Sequence, residues 1–279
     1  MTSEAGASGP PQDLRLILHA GFHKTGTTTV QNCLRENQTL LSPHLRVFLR
    51  TDMVSLCEAA RKWSASRAPT DFAVLQLECA EFIEALDPND QRPVLLASED
   101  LSGHMPGRHG LKDYGAAPQL MKCIQDTALE FHPDAFVRIL FTTRSEQAWL
   151  QSCYVQHLRA SPMTLEADEY AKQYAPSADL KRIVSLTQEA ASRSEVFATA
   201  LEAASSHRLG PFSALLPHLS LPAATADAVT PAPPANTRPD RDVLEQLLAL
   251  NRSQQPYRQI HQKKQDLLRA LRRSKRTPG

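Results

Sequence analysis

Paired cysteines are missing from this chain. Five cysteines occur, at Cys33, Cys57, Cys79, Cys123 and Cys153, scattered and with no C-x-x-C spacing. Neither a disulfide framework nor a thiolate metal site is expected, and reduced, buried thiols are. Charge of one sign is missing too: Lys+Arg number 31 against Asp+Glu 30, a net charge of +1, which gives no reason to expect a nucleic-acid partner. No apolar run approaches the length of a membrane span. Residues 1–13 are small and polar, without the basic start and apolar stretch of a signal peptide, and read as a disordered N-terminal segment. No internal repeat is evident. These absences predict a soluble, cytoplasmic protein. With 279 residues, 42% of them hydrophobic, the chain can bury a large core, and 14–279 are read as one α/β domain.

Short apolar runs bounded by turn residues predict buried strands at Leu14–Ala20, Pro93–Ala97 and Phe136–Thr143, with a further strand at Glu195–Ala198. Helices are predicted over Thr27–Leu41, Asp52–Leu86, Gln119–Phe131 and Glu146–His157 from apolar residues recurring at helical spacing. The stretch 223–239, dominated by Ala, Pro and Thr, reads as an irregular crossing segment. Beyond it, Asp242 and Glu245 fit a capping box, and 240–279 form a basic helical region. From Arg258 to Arg276 there are eight Lys/Arg against one Asp. That face is expected to be solvated or to pack at a subunit contact, with a peripheral membrane contact open.

The densest chemistry lies in GFHKTGTTT, residues 21–29, between the first strand and the first helix. Backbone N–H groups and the helix dipole at such a junction hold anions. Gly21 and Gly26 permit a tight turn, Thr25, Thr27 and Thr28 carry hydroxyls, and Lys24 and His23 stand inside the loop. The frame is G-x-x-x-x-G, but a Walker A loop needs Lys directly after the second glycine, and here that residue is Thr27.

Lys24-Thr25-Gly26-Thr27-Thr28 after a buried strand resembles the 5′-phosphosulfate loop of sulfotransferases that use 3′-phosphoadenosine 5′-phosphosulfate (PAPS). A second element agrees. Arg144 ends the third long strand, and Ser152 follows eight residues on in a helix, at the spacing with which that family holds the donor's 3′-phosphate. Arg208, in Arg208-Leu209-Gly210, resembles a later basic loop over the same phosphate, with Leu209 in place of the family's lysine. The resemblance implies a three-layer, P-loop NTPase-like fold with a parallel sheet between helices. It also implies PAPS as co-substrate, PAP (3′-phosphoadenosine 5′-phosphate) as product, and no metal.

The base is sought where the second buried strand opens into the same crevice, at Glu99, with His104, Asp100 and His23 as alternatives. Val94–Asp100 also resembles a Walker B strand, so a nucleotide-dependent kinase or NTPase stays open, as does a non-catalytic PAP-binding relative. The acceptor, a small molecule or a glycan, carries no portable motif.

Overall fold

The computed structural model describes residues 13–87, 89–233 and 239–274. The N-terminal stretch read as disordered therefore lies, up to residue 12, outside the described residues.

The elements in chain order are β1 (Arg15–His19), α1 (Thr27–Glu36), α2 (Gln38–Leu41), β2 (Arg46–Leu49), α3 (Val54–Ser66), α4 (Pro69–Glu84), β3 (Val94–Ala97), α5 (Ala117–Phe131), β4 (Phe136–Thr143), α6 (Glu146–Ala160), α7 (Ala167–Tyr174), α8 (Leu180–Ala190), β5 (Glu195–Ala200), α9 (Leu201–Ala204), α10 (Ala223–Ala228), α11 (Arg241–Arg252) and α12 (Tyr257–Ser274). They form two compact units. One comprises residues up to Arg144 together with Asp179–Ala235, and the other Ser145–Ala178 with Asn236–Gly279.

The first unit holds a five-stranded sheet, order β2-β3-β1-β4-β5, parallel throughout. The apolar runs of β1, β3 and β4 are buried as expected of strands covered on both faces. The chain steps outward from β1 to β2, then returns across β3 and past β1 to β4 and β5. Because parallel crossovers are right-handed, the outward step puts α1 on one face and the return puts α3, α4, α5 and α8 on the other. Ile17, Val30, Leu34, Leu95, Leu140, Leu209 and Phe212 form the core on the α1 face. The α/β class with a central parallel sheet is thus the architecture observed.

Several sequence expectations need correction. Strand β2 was not foreseen: only four residues long, it lies at the sheet edge against β3. The helix expected over Asp52–Leu86 is two, because Arg67 adopts a left-handed conformation (φ 53°) and Pro69 then opens α4. The first helix is likewise interrupted at Asn37, whose buried amide donates to the Cys33 carbonyl (2.8 Å) and the Thr230 carbonyl (2.9 Å) and accepts from the Thr230 N–H (2.9 Å). That side chain ties the segment after α10 to the end of α1. The crossing segment is itself helical over Ala223–Ala228, and 234–238 lie outside the described residues.

In the second unit, α6 and α7 meet through His157 Nδ1 and the Tyr170 hydroxyl, 2.8 Å apart and buried. The capping box expected at Asp242 is absent. Helix α11 begins at Arg241 with Asp240 as its cap residue, and Glu245 instead pairs with Arg241 at 2.8 Å. The basic α12 turns Ile260, Lys264 and Leu268 inward, and the buried Lys264 ammonium donates to the Ser161 carbonyl at 2.9 Å. No helix among the described residues is long and apolar enough to cross a membrane.

Candidate functional site

Strand β1 ends between β3 and β4, where a parallel sheet opens a crevice at its carboxyl edge. The loop from Ala20 to Gly26 fills that position. Phe22 anchors it: its ring is buried, stacked on Phe141 of β4 (centroids 4.8 Å apart) and tilted against Tyr114 at the same distance. Ser102 also donates to the Ala20 carbonyl (3.2 Å).

The loop turns through three positive φ angles, at Gly21 (40°), Lys24 (71°) and Gly26 (97°). For lysine that conformation costs about 1 kcal/mol or more, so the loop is held by its surroundings rather than by local preference. A Cβ on Gly26 would come within 2.8 Å of Pro211 Cγ and 3.0 Å of Leu201 Cδ1. Gly26 caps α1, and its carbonyl accepts from the Thr29 N–H (3.0 Å) and the Val30 N–H (3.2 Å). The earlier N–H groups of a helix have no intrahelical acceptor and carry its positive dipole end.

The side chains sort differently from the sequence reading. Thr25 is buried, with its hydroxyl 2.6 Å from the Phe22 carbonyl and 2.8 Å from Thr142 Oγ1. It locks the loop onto β4. Thr27 is buried and Thr28 exposed at the helix start. Arg144, at the end of β4, donates from Nη1 to the Lys24 carbonyl at 3.2 Å, across 120 residues of sequence. Ser152 is half-buried on α6, in the second unit.

Glu99 follows β3, and its Oε2 accepts from Gln31 Nε2 of α1 at 2.8 Å. Its carboxylate therefore lies beside the first turns of that helix. Asp100 is occupied otherwise: Arg50 Nε donates to it at 2.6 Å, and Arg61 Nε and His23 Nε2 each stand 3.8 Å away. That ion-pair cluster gives Asp100 a structural role between α3 and the loop. His23 is clipped to Tyr114, whose hydroxyl accepts from the His23 N–H (3.0 Å) and lies 3.1 Å from Nδ1. With the hydroxyl proton directed at Nδ1, the ring proton sits on Nε2, toward Asp100. Burial drives the His23 pKa down to about 3, opposed by Asp100 and reinforced by Arg108, His104 and Arg61. His104 accepts from Arg61 Nε at Nδ1 (3.4 Å), and its ring lies 4.4 Å from that of His109. Burial first, then Arg61, His109 and Arg108, hold its pKa near 4. Both rings are neutral at physiological pH.

Arg208 is engaged with backbone carbonyls. Its guanidinium donates to the carbonyls of Val229 (2.5 Å), Asp227 (2.7 Å) and Ala226 (3.2 Å), capping the carboxyl end of α10. The Arg-x-Gly spacing could not distinguish a ligand contact from a helix clamp. Sequence reasoning also missed Gln31, Arg50, Arg61, Tyr114 and Thr142, which reach the loop and the β3 end through the sheet order and carry no motif. Another missed residue is His19, fully buried at the end of β1. Neither of its ring nitrogens has a hydrogen-bond partner among the described residues, and burial lowers its pKa to about 4. A Cβ on Gly21 would lie 3.6 Å from that ring. No three His, Cys, Asp or Glu side chains converge as a metal site among the described residues.

No protein-family model matches the chain, and no curated protein matches it. Among solved structures, a sulfotransferase from Alicyclobacillus acidocaldarius is 16% identical, over 86% of this chain and 93% of that one, with a TM-score of 0.44. A structure of the PezAT chromosomal toxin-antitoxin system of Streptococcus pneumoniae is 10% identical, over 88% of this chain and 89% of that one, with a TM-score of 0.32. At these TM-scores neither likeness bears on what the chain does, and the functional reading rests on the residues at the sheet edge.

Proposed function

We propose that the chain is a sulfotransferase that takes the sulfuryl group from PAPS and passes it to a hydroxyl or amine. The observation that carries this reading is the hydrogen bond from Arg144 to the Lys24 carbonyl. Two motifs that separately resemble the donor elements of that family converge at one end of β1, although 120 residues separate them.

The residues suit such a donor. The start of α1 offers N–H groups and dipole to a 5′-phosphosulfate, with Thr28 exposed beside them. Arg144 offers a planar fork to a second phosphate. Glu99 takes the proton from the acceptor as the new bond from acceptor oxygen to sulfur forms. The bond from sulfur to the phosphate oxygen breaks, and the electron pair leaves with PAP, where Lys24 offsets the growing negative charge. Gln31 holds Glu99 by one oxygen (2.8 Å), leaving the other to receive the proton.

A kinase or NTPase is the weaker reading for two local reasons. The residue after Gly26 is Thr27, with Lys24 two places before that glycine. Asp100, at the position that would recruit Mg²⁺ in a Walker B strand, already has the Arg50 guanidinium at 2.6 Å.

Transfer from radiolabelled PAPS to a panel of hydroxyl and amine acceptors tests the proposal. Wild-type protein is expected to label at least one acceptor. Glu99→Gln should lower kcat by about 10²-fold or more while leaving PAP affinity within about twofold. Absence of transfer, or a Glu99→Gln variant as active as the wild type, contradicts it.

A further inference from the structure

The face of the site next to His23 carries three guanidinium groups, two of them in ion pairs and the third in none among the described residues. Arg50 and Arg61 share Asp100 and Glu58: Arg50 contacts them at 2.6 and 2.7 Å, and Arg61 at 3.8 and 3.3 Å. Arg108 is a third cation, half-buried, with no ion pair among the described residues. It stands close enough to His23 and His104 to disfavour the protonation of both. Glu99, the remaining carboxylate nearby, is hydrogen-bonded to Gln31.

The segment that presents Arg108 is built rather than slack. Gly103 turns at φ 85° so tightly against α3 that a Cβ there would meet Ser64 Cβ at 2.5 Å. Ser64 Oγ accepts from the His104 N–H at 2.9 Å. Met105 is fully buried, and the turn closes through Arg108 N–H to the Met105 carbonyl (3.2 Å), Leu111 N–H to the Arg108 carbonyl (3.0 Å) and Gly107 N–H to the Leu111 carbonyl (2.8 Å). His104, accepting from Arg61 at Nδ1, carries its ring proton on Nε2. The same segment thus carries a second donor besides the guanidinium.

Resting on the transferase reading above, we infer that Arg108, with His104 and His109, forms an anion subsite for the acceptor. The acceptor would carry a carboxylate near the hydroxyl that receives the sulfuryl group. A guanidinium fork and an imidazole N–H match a carboxylate's two oxygens. The same charge favours an anionic acceptor over a neutral alcohol. A carboxylate of this kind occurs both in uronate-bearing glycans and in small hydroxy acids.

The test is a titration of uniformly isotope-labelled protein, saturated with PAP, followed through the ring resonances of His104 and His109. The probes are glucuronic acid, a glucuronate-bearing disaccharide and a neutral glucose disaccharide. Both ring signals are expected to move with an acid and to stay in place with the neutral sugar. Arg108→Gln should weaken the response by about tenfold or more, and Arg108→Lys by less. Response to the monomer points to small acids, and response to the disaccharide alone points to glycans. Unmoved signals with both acids, equal movement with the neutral sugar, or an Arg108→Gln response equal to wild type overturns the inference. PAP saturation is read separately at the Thr28 amide. Its failure would count against the donor reading while the ring signals still report on the anion subsite.

Discussion

At His19 an imidazole has left water without gaining a partner among the described residues. The folded ring rejects a proton until about pH 4, whereas in the unfolded chain it accepts one near the ordinary value of 6.5. As pH falls from 6.5 toward 4 the unfolded state binds a proton that the folded state does not, so stability falls across that window. The shift corresponds to about 3 kcal/mol at its full extent. His19→Leu is therefore expected to flatten the acid limb of a stability-versus-pH curve from denaturant titrations. An unchanged slope would mean that the ring finds a partner on protonation. Arg208 makes the converse point: its side chain is committed to three carbonyls at the end of α10. Arg208→Ala should cost about 1–3 kcal/mol in denaturant unfolding yet leave PAP affinity within about twofold. A large loss of PAP affinity would return this residue to the donor site.

Among elements, the junction of β1, loop and α1 carries the proposed donor site. Gly26 must turn at φ 97° with Pro211 and Leu201 packed over it. Gly26→Ala is expected to destabilise by about 1–3 kcal/mol through backbone strain and close contact, and to abolish PAP binding even in protein that remains folded by circular dichroism. This junction was legible in the sequence because its parts are contiguous: a buried apolar run, a glycine loop and an amphipathic helix. Strand β4 and its terminal Arg144 were legible for the same reason. Strand β2 was not, since four residues at a sheet edge carry no period of their own. The break between α3 and α4 was hidden because Arg67 enters the left-handed region that glycine favours. Thr25 illustrates a different limit. Its spacing marked it as a loop hydroxyl, but only the placement of β4 beside β1 reveals that the hydroxyl faces Thr142.

For the molecule as a whole, a net charge of +1 conceals an uneven distribution. Lys24, Arg50, Arg61, Arg108 and Arg144 gather around the carboxyl ends of β1, β3 and β4, against Glu58, Glu99 and Asp100. Sheet order creates that field, because it brings the ends of β3 and β4 to either side of β1. Composition could not reveal it, and motif spacing revealed Lys24 and Arg144 alone. The central claim is that this sheet edge binds a 3′-phosphorylated adenosine nucleotide without metal. Its most direct test is calorimetric titration with PAP in the presence of a chelator, beside ATP with Mg²⁺, on the wild type and on Arg144→Ala. Tight PAP binding that exceeds Mg-ATP binding and falls by about tenfold or more in the variant is the predicted result. A preference for Mg-ATP, or PAP binding indifferent to Arg144, would contradict the account.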